Sequence, residues 1–339
     1  MRVAAWDNPK HARIHLLDSL ARGAQACGAV VESRDLFRDV NHRVIRQYDA
    51  HLVYSRMYNF ADRVITKCRH LNKPVLVIDS GYIRRGEYFA VGLGGINAEA
   101  DFKNANSPAD RFNALGVEIK PWREGGEYVL LCGQRQIDIT LPCPPPQWAA
   151  VMRDVVRSVT GLPVLYRPYP SEPSAYARID GALPSRGSLE DDLAGAALLV
   201  THTSNVVVQA LLEGIPCVTT GHGVADRVVS IGLKSEPEPT KWPAWARGKA
   251  ALIRHVLDAP RHTLPDRAPF FHDLAYAQWT EDEMKSGIPF RRLMGIEEPT
   301  EAEPITEEQS TAVSLYGDEI LEMAEEEYGD RHEVLLPRR

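Results

Sequence analysis

The residues with the clearest chemical potential lie between Thr201 and Gly221. A short apolar run before them, Ala196 to Val200, reads as a buried strand. Thr201, His202, Thr203, Ser204 and Asn205 follow, a polar turn of hydroxyl, imidazole and amide groups. Ser204 and Asn205 stand where a helix would start, and both are favoured N-cap residue types. Val206, Val207, Ala210 and Leu211 then recur at helical spacing. Gly214 stops that helix, Pro216 prevents its continuation, and Ile215 to Thr219 reads as the next strand. Such a turn aims free backbone N–H groups outward from the end of a parallel strand, an arrangement that binds anions and phosphates above all. An ordinary buried βαβ unit with no ligand is the plainer reading of the same pattern.

The elements that must position this turn form a regular series. Strands are expected at Arg2 to Trp6, Ala29 to Glu32, His51 to Tyr54 and Lys73 to Asp79, with helices at Ala12 to Cys27 and Ala61 to Leu71. This βαβ rhythm predicts a parallel sheet with helices on both faces, whose ligands sit at the carboxyl ends of strands. Asp79 to Trp122 is loop-rich, and Pro121 to Gly126 reads as a hinge. A second series runs through a strand at Tyr128 to Cys132, a helix at Pro146 to Thr160, a strand at Val164 to Arg167 and a helix at Leu189 to Gly195. The unit already described completes it. Phe271 to Gly287 reads as one late amphipathic helix, with Thr280 able to cap a second turn. The expected fold class is therefore α/β, two Rossmann-like domains facing a cleft. They cover residues 1–124 and 127–265 and carry an acidic tail over 297–339.

The formal charge of −7 hides an asymmetry. Residues 297–333 hold 14 Asp or Glu and only Arg331 as a strong base, so residues 1–296 are net positive. Prolines 299 and 304 open this tail, which reads as a linker with one helix around Glu307 to Glu327. A basic body is compatible with a polyanionic partner but does not establish one. The five cysteines (Cys27, Cys68, Cys132, Cys143, Cys217) form no Cys-x-x-Cys pair. That favours reduced thiols in a cytoplasmic protein over disulfides or zinc. No run of ~18 apolar residues offers a membrane span, and no secretory signal is expected at the N-terminus.

The Thr201 to Gly221 segment, with its hydroxyl-bearing turn, its helix and its Gly-x-Pro at Gly214 to Pro216, resembles the nucleotide-binding domain of GT-B glycosyltransferases. It is similar also to the related UDP-sugar 2-epimerases. The likeness extends over about Glu127 to Arg261. It implies a GT-B plan, a nucleotide-sugar donor such as UDP-glucose as substrate, no further cofactor, and a last helix crossing back over the first domain at 270–290. One position departs: many retaining members carry a glutamate five residues before the glycine, where it holds the donor ribose, and here that residue is Gln209. The implied donor site takes Gly133, Gln134, Arg135, Arg167, Thr201, His202, Thr203, Ser204, Asn205, Gln209, Gly221 and His222. Arginine suits a diphosphate, and glycines 221 and 223 around His222 suit close backbone approach.

An inverting transfer needs a base on the acceptor side. In the resembled family it comes from the first domain, where Asp79 ranks ahead of Asp101 and Asp7. Asp also forms turns and caps, which is the bland reading of all three. No Asp-x-Asp metal motif stands in the chain, so no metal is expected. Ile78 to Ile83, Ala109 to Gly116 and Leu274 to Thr280 resemble uncharacterised glycosyltransferase-like proteins of bacteriophages. Some phage enzymes of this fold glycosylate hydroxymethylated pyrimidines in their own DNA, which implies DNA as acceptor and the host cytoplasm as location. Tyr82, Arg84 and Arg85, interleaved with Tyr88 and Phe89, are then the acceptor-binding residues, with Arg111 beside them. The rival functions are a UDP-sugar 2-epimerase and a non-catalytic nucleotide-sugar-binding protein.

Overall fold

The structure is a computed structural model that describes residues 1–7, 14–55, 59–135, 138, 140–170, 178–185, 187–225 and 242–297. The start of the helix expected at Ala12 and the whole of the acidic tail beyond residue 297 lie outside the described residues.

The first series builds β1 (Arg2–Asp7), α1 (Ile14–Ala26), β2 (Val30–Asp35), α2 (His42–Ile45), β3 (Ala50–Tyr54), α3 (Asn59–His70) and β4 (Val75–Ser80). Val75 to Ile78 are buried at 0–2% exposure, as strands covered on both faces must be. Leu16, Leu17, Leu20 and Ala24 put one face of α1 on the sheet. Within the stretch read as loop stands β5 (Phe89–Leu93), antiparallel to β4. Its glycines 92, 94 and 95 resemble turn punctuation. A Cβ on Gly92 would meet Ala100 Cβ at 2.6 Å, so this glycine serves close packing inside a strand. The short helix α4 (Asp110–Ala114) follows.

The second series builds β6 (Tyr128–Cys132), α5 (Pro145–Arg157), β7 (Val164–Arg167), β8 (Leu183–Pro184), α6 (Leu189–Ala194), β9 (Ala196–Thr201), α7 (Val206–Leu212) and β10 (Cys217–Thr219). All pairings in this sheet are parallel, in the order β10-β9-β6-β7-β8. After α8 (Lys249–Asp258), the single late helix divides into α9 (Ala268–Ala275), β11 (Gln278–Trp279), α10 (Glu281–Lys285) and α11 (Ile288–Met294). The break has two causes. Gln278 and Trp279 pair with β5. Thr280 and Glu283 form a reciprocal capping box that starts a new helix. The first sheet thus reads β11-β5-β4-β3-β1-β2, and α10 and α11 bury Met284, Phe290 and Leu293 against α1 and its strands.

The fully buried Gln278 ties β11 inward: its Oε1 accepts from the amides of Tyr82 and Ile83, both at 2.9 Å, and its Nε2 donates to Ile83 O at 3.1 Å. One apolar cluster joins the two sheets, with Tyr82, Ile83 and Phe112 meeting Leu130, Val207, Leu211 and Phe271. Residues 1–296 accordingly form one compact unit. The stretch read as a hinge is tied down at its start. Lys120 and Arg123 donate their amides to Leu212 O and Gly214 O, each at 2.8 Å. The Arg267 guanidinium lies 3.8 Å from the centre of the Trp122 ring. Among the described residues no helix is long and apolar enough to cross a membrane.

Candidate functional site

In the second sheet the chain runs from β6 to β7 and β8 on one side, then returns to lay β9 against the other side of β6. The strand order reverses between β6 and β9, and open α/β sheets bind ligands in the crevice outside that point. The loop after β6 brings Gly133, Gln134 and Arg135 there. The loop after β9 brings His202, Thr203, Ser204 and Asn205, and the turn after β10 adds Thr220, Gly221 and His222 beside them.

Gln134 is only 6% exposed. With its carboxamide oxygen turned toward the donors around it, it accepts from the Thr203 amide at 2.6 Å, the Ser204 amide at 2.9 Å and Thr203 Oγ1 at 3.0 Å. The two amides expected to meet a phosphate are therefore already bridged by a neutral oxygen of the chain. Ser204 Oγ accepts weakly from the Val206 amide at 3.4 Å. Asn205 occupies the N-cap position of α7, but its side chain caps nothing and its Oδ1 is buried without a hydrogen-bond partner. Gln209 is exposed on α7. A Cβ on Gly133 would stand 2.8 Å from Tyr166 Oη, so the loop passes that ring only as glycine.

His202 stitches three loops together. Its Nε2 lies 2.9 Å from the Thr140 carbonyl, which can only accept, so Nε2 carries the proton. Nδ1 then accepts from Thr220 Oγ1 at 2.8 Å, and that hydroxyl accepts from Trp148 Nε1 at 2.9 Å. Burial, seconded by the charges of Lys249 and His222, holds the imidazole below its usual pKa, against the Thr140 carbonyl and Asp138. Gly221 packs directly on this ring: a Cβ there would lie 2.5 Å from His202 Cε1. His202 is 5% exposed, so it shapes the crevice rather than lining it. Asp138 accepts from the Thr140 amide at 2.9 Å, and its Oδ2 lies 3.5 Å from Thr203 Oγ1. Sequence reasoning missed Asp138, Thr140, Trp148 and Thr220. Only the placing of Thr219 and Thr220 before Gly221 could have signalled one of them.

Three residues expected at the donor have partners within the chain. Arg167 is committed to Asp192, whose side chain is fully buried, at 2.7 Å, and to Gly187 O at 2.8 Å. The buried Asp192 carboxylate needs such a partner. Thr201 is fully buried, with its hydroxyl donated to Cys132 O at 3.1 Å. His202 acts through its neighbours, as described. Arg135 stays at the crevice, 5.2 Å from the Tyr169 ring centre, and His222 is exposed in the β10 turn.

In the first sheet the reversal falls between β1 and β3, where Asp7 ends β1. Asp79 lies one strand further on, near the end of β4. Its Oδ1 accepts from the Ser80 amide at 2.7 Å. Asp101 lies in the loop beyond β5, paired with Lys103 at 2.6 Å. Hydrogen bonding from the Lys103 side chain, against slight burial, holds the Asp101 carboxyl below the usual range. Asp101 lines a cavity of about 760 Å³ that runs from the 97–105 loop to Gly223 and Val224, just past the β10 turn. Asp79 does not line it.

The acceptor residues fare differently. Tyr82 is 3% exposed and a core side chain, its hydroxyl 3.3 Å from Asn97 Oδ1 and its pKa driven up by burial. It is no acceptor platform. Arg84 pairs with Glu87 at 2.5 Å, and Arg111 with Glu283 at 2.6 Å under the Trp279 ring. Arg85 is exposed. Among the described residues no group of His, Cys, Asp and Glu side chains is placed to hold a metal ion.

No protein-family model matches this sequence, and no curated protein matches it either. Among solved structures, the chain is similar to the β-Kdo 2,4 transferase KpsC of Thermosulfurimonas dismutans, at 13% identity and a TM-score of 0.48, with 82% of this chain and 90% of that one covered. It is similar also to S. aureus MnaA in its UDP co-structure, at 9% identity and a TM-score of 0.31 over 89% and 99% of the two chains. A putative UDP-N-acetylglucosamine 2-epimerase from Listeria monocytogenes gives 12% identity and a TM-score of 0.34 over 89% and 98%. None of these likenesses assigns a residue of this chain a role.

Proposed function

We propose that the protein is a glycosyltransferase that moves a sugar from a nucleotide-sugar donor, UDP-linked, to an acceptor hydroxyl. The observation that carries this reading is the strand-order reversal between β6 and β9, which gathers Gln134, Arg135, Thr203, Ser204 and Asn205 at one crevice. The donor diphosphate lies on the Thr203 and Ser204 amides. Its charged oxygen displaces Gln134 there, because charge-assisted hydrogen bonds are roughly twice as strong as neutral ones. Arg135 takes the phosphate charge, and Asn205, whose Oδ1 is buried without a hydrogen-bond partner, turns that oxygen to a ligand hydroxyl on binding.

In the transfer, the acceptor oxygen forms a bond to the anomeric carbon. The bond from that carbon to the diphosphate oxygen breaks, and the nucleoside diphosphate leaves with the electron pair. The acceptor proton passes to a carboxylate, a role for Asp101, which lines the cavity and stays ionised at neutral pH. DNA carrying hydroxymethylpyrimidines entered as acceptor by resemblance alone. Two of the three arginines it leaned on are held in ion pairs.

The test is product analysis with radiolabelled UDP-glucose and a panel of acceptors. A labelled adduct supports transfer. Release of an epimerised sugar supports an epimerase, and binding without turnover supports a carrier; either result refutes the reading.

A further inference from the structure

The cavity of about 760 Å³ has the size of a ligand site, for which roughly 300–1,000 Å³ is usual. Its walls carry a particular chemistry. Asp266 and Asp273 both line it, and neither forms an ion pair among the described residues. Each is oriented by the backbone: Asp266 Oδ1 accepts from the Ala268 amide at 3.0 Å, and Asp273 Oδ1 from the Ser107 amide at 2.8 Å. Asp101 stands on the same wall but is balanced by Lys103. Asn97 and Asn104 add planar amides. The rest is apolar, with Phe270 half-buried beside Leu274 and Ala277.

We infer that this cavity binds the acceptor and that the acceptor is a neutral saccharide. The inference rests on the glycosyltransferase reading and names the substrate class of its acceptor side. Three features of the wall decide the class. Its excess of carboxylate repels a phosphodiester backbone, which needs cations instead. Its polar groups include acceptors (Asp266, Asp273) and donors: Asn104 gives one N–H to Asp273 O at 2.5 Å and Lys103 one to Asp101 at 2.6 Å, each keeping a further N–H, and a hydroxyl both donates and accepts. An amine would leave the donors unused. Phe270 and Leu274 offer the apolar surface that the C–H face of a pyranose ring covers. The cavity also begins where the donor crevice ends, since Gly223 is two residues past the Gly221 that packs on His202. One saccharide hydroxyl then supplies the oxygen that bonds to the anomeric carbon, its proton going to Asp101 as the nucleoside diphosphate departs.

The experiment titrates the full chain, by calorimetry and ligand-observed NMR, with maltose, cellobiose, lactose and diacetylchitobiose, and separately with single-stranded and duplex DNA and with UDP. At least one disaccharide is expected to bind, with an affinity unaffected by salt. Asp273→Asn, which keeps one acceptor oxygen for Ser107, should weaken that binding by roughly tenfold, the loss of one charge-assisted hydrogen bond. Ala98→Trp offers a second variant. Ala98 is an exposed lining residue, so the bulky ring closes the mouth without entering the core. It should abolish saccharide binding and leave UDP binding as it was. The inference is overturned if no disaccharide binds, if binding survives Ala98→Trp, or if DNA binds and Ala98→Trp removes it. UDP binding without disaccharide binding sinks this inference alone. Disaccharide binding without UDP binding sinks the glycosyltransferase reading instead.

Discussion

His51 makes the stability of the first sheet depend on pH in a calculable way. The residue lies inside β3 with no exposed surface. Trp6 Nε1 donates to its Nδ1 at 3.1 Å, and the rings of Trp6 and Tyr48 flank it with centroids at 6.1 Å. Nε2 has no hydrogen-bond partner, and the only pull toward protonation is a weak one from the Ile45 backbone. Burial first, and the Lys73 charge second, push the imidazole down from 6.5 to about 4.

The unfolded chain therefore binds a proton that the folded one refuses between those two values. The stability contributed by neutral His51 is complete above about pH 6.5 and is lost as pH falls toward 4. A difference of that size corresponds to roughly 3 kcal/mol, a large part of the ~5–15 kcal/mol that holds an ordinary domain together. Urea unfolding at a series of pH values from 7 to 4 should show this loss. His51→Gln, which keeps an acceptor for Trp6, should start less stable at pH 7 but decline far less across the window. His202 also titrates low and contributes with the same sign in both proteins, so the difference between the curves isolates His51. Parallel curves would refute the reasoning.

Four further outcomes are expected. Ser204→Ala with Asn205→Ala should weaken UDP-sugar binding by about 1–3 kcal/mol; calorimetry giving an unchanged Kd in a folded double variant would remove the turn from the donor site. Gly221→Ala forces a methyl group onto the His202 ring and should cost roughly 1–3 kcal/mol, read as a lowered urea midpoint; an unchanged midpoint would mean the loop yields freely. Asp101→Asn should lower kcat by roughly 10²–10⁴ while leaving donor Kd alone, and a kcat within a factor of about three would end its role as base. A chain ending at Ile296 should melt within a few degrees of the full chain by calorimetry, because the acidic tail lacks the apolar density to join a core; a large drop would show that Leu315, Ile320, Leu321 and Met323 pack on the body.

Much of the fold was legible because it is written in local patterns. Tyr128 to Cys132 and Val164 to Arg167 are strands by apolar run alone. Gly214, with φ of +74°, ends its helix in the conformation glycine adopts without strain. The polar turn after β9 was visible for the same reason: its hydroxyls, its helix and its stop lie within a few residues of one another. β5 and β11 were not: β11 exists only through its pairing with β5, nearly two hundred residues away, and β5 is set by antiparallel pairing with β4 on one side and β11 on the other. The site divided along the same line. Residue type and strand end marked Gln134, Arg167 and His202 as candidates. Their roles depended on partners remote in sequence: Gln134 on the Thr203 and Ser204 amides, Arg167 on Asp192, His202 on Thr140 and Thr220. Local sequence thus determined which elements form and where polar ends emerge, since periodicity and capping act within a turn or two. Only the tertiary structure decided which polar groups remain for a ligand, because a buried polar or charged group must find its partner wherever the fold brings one.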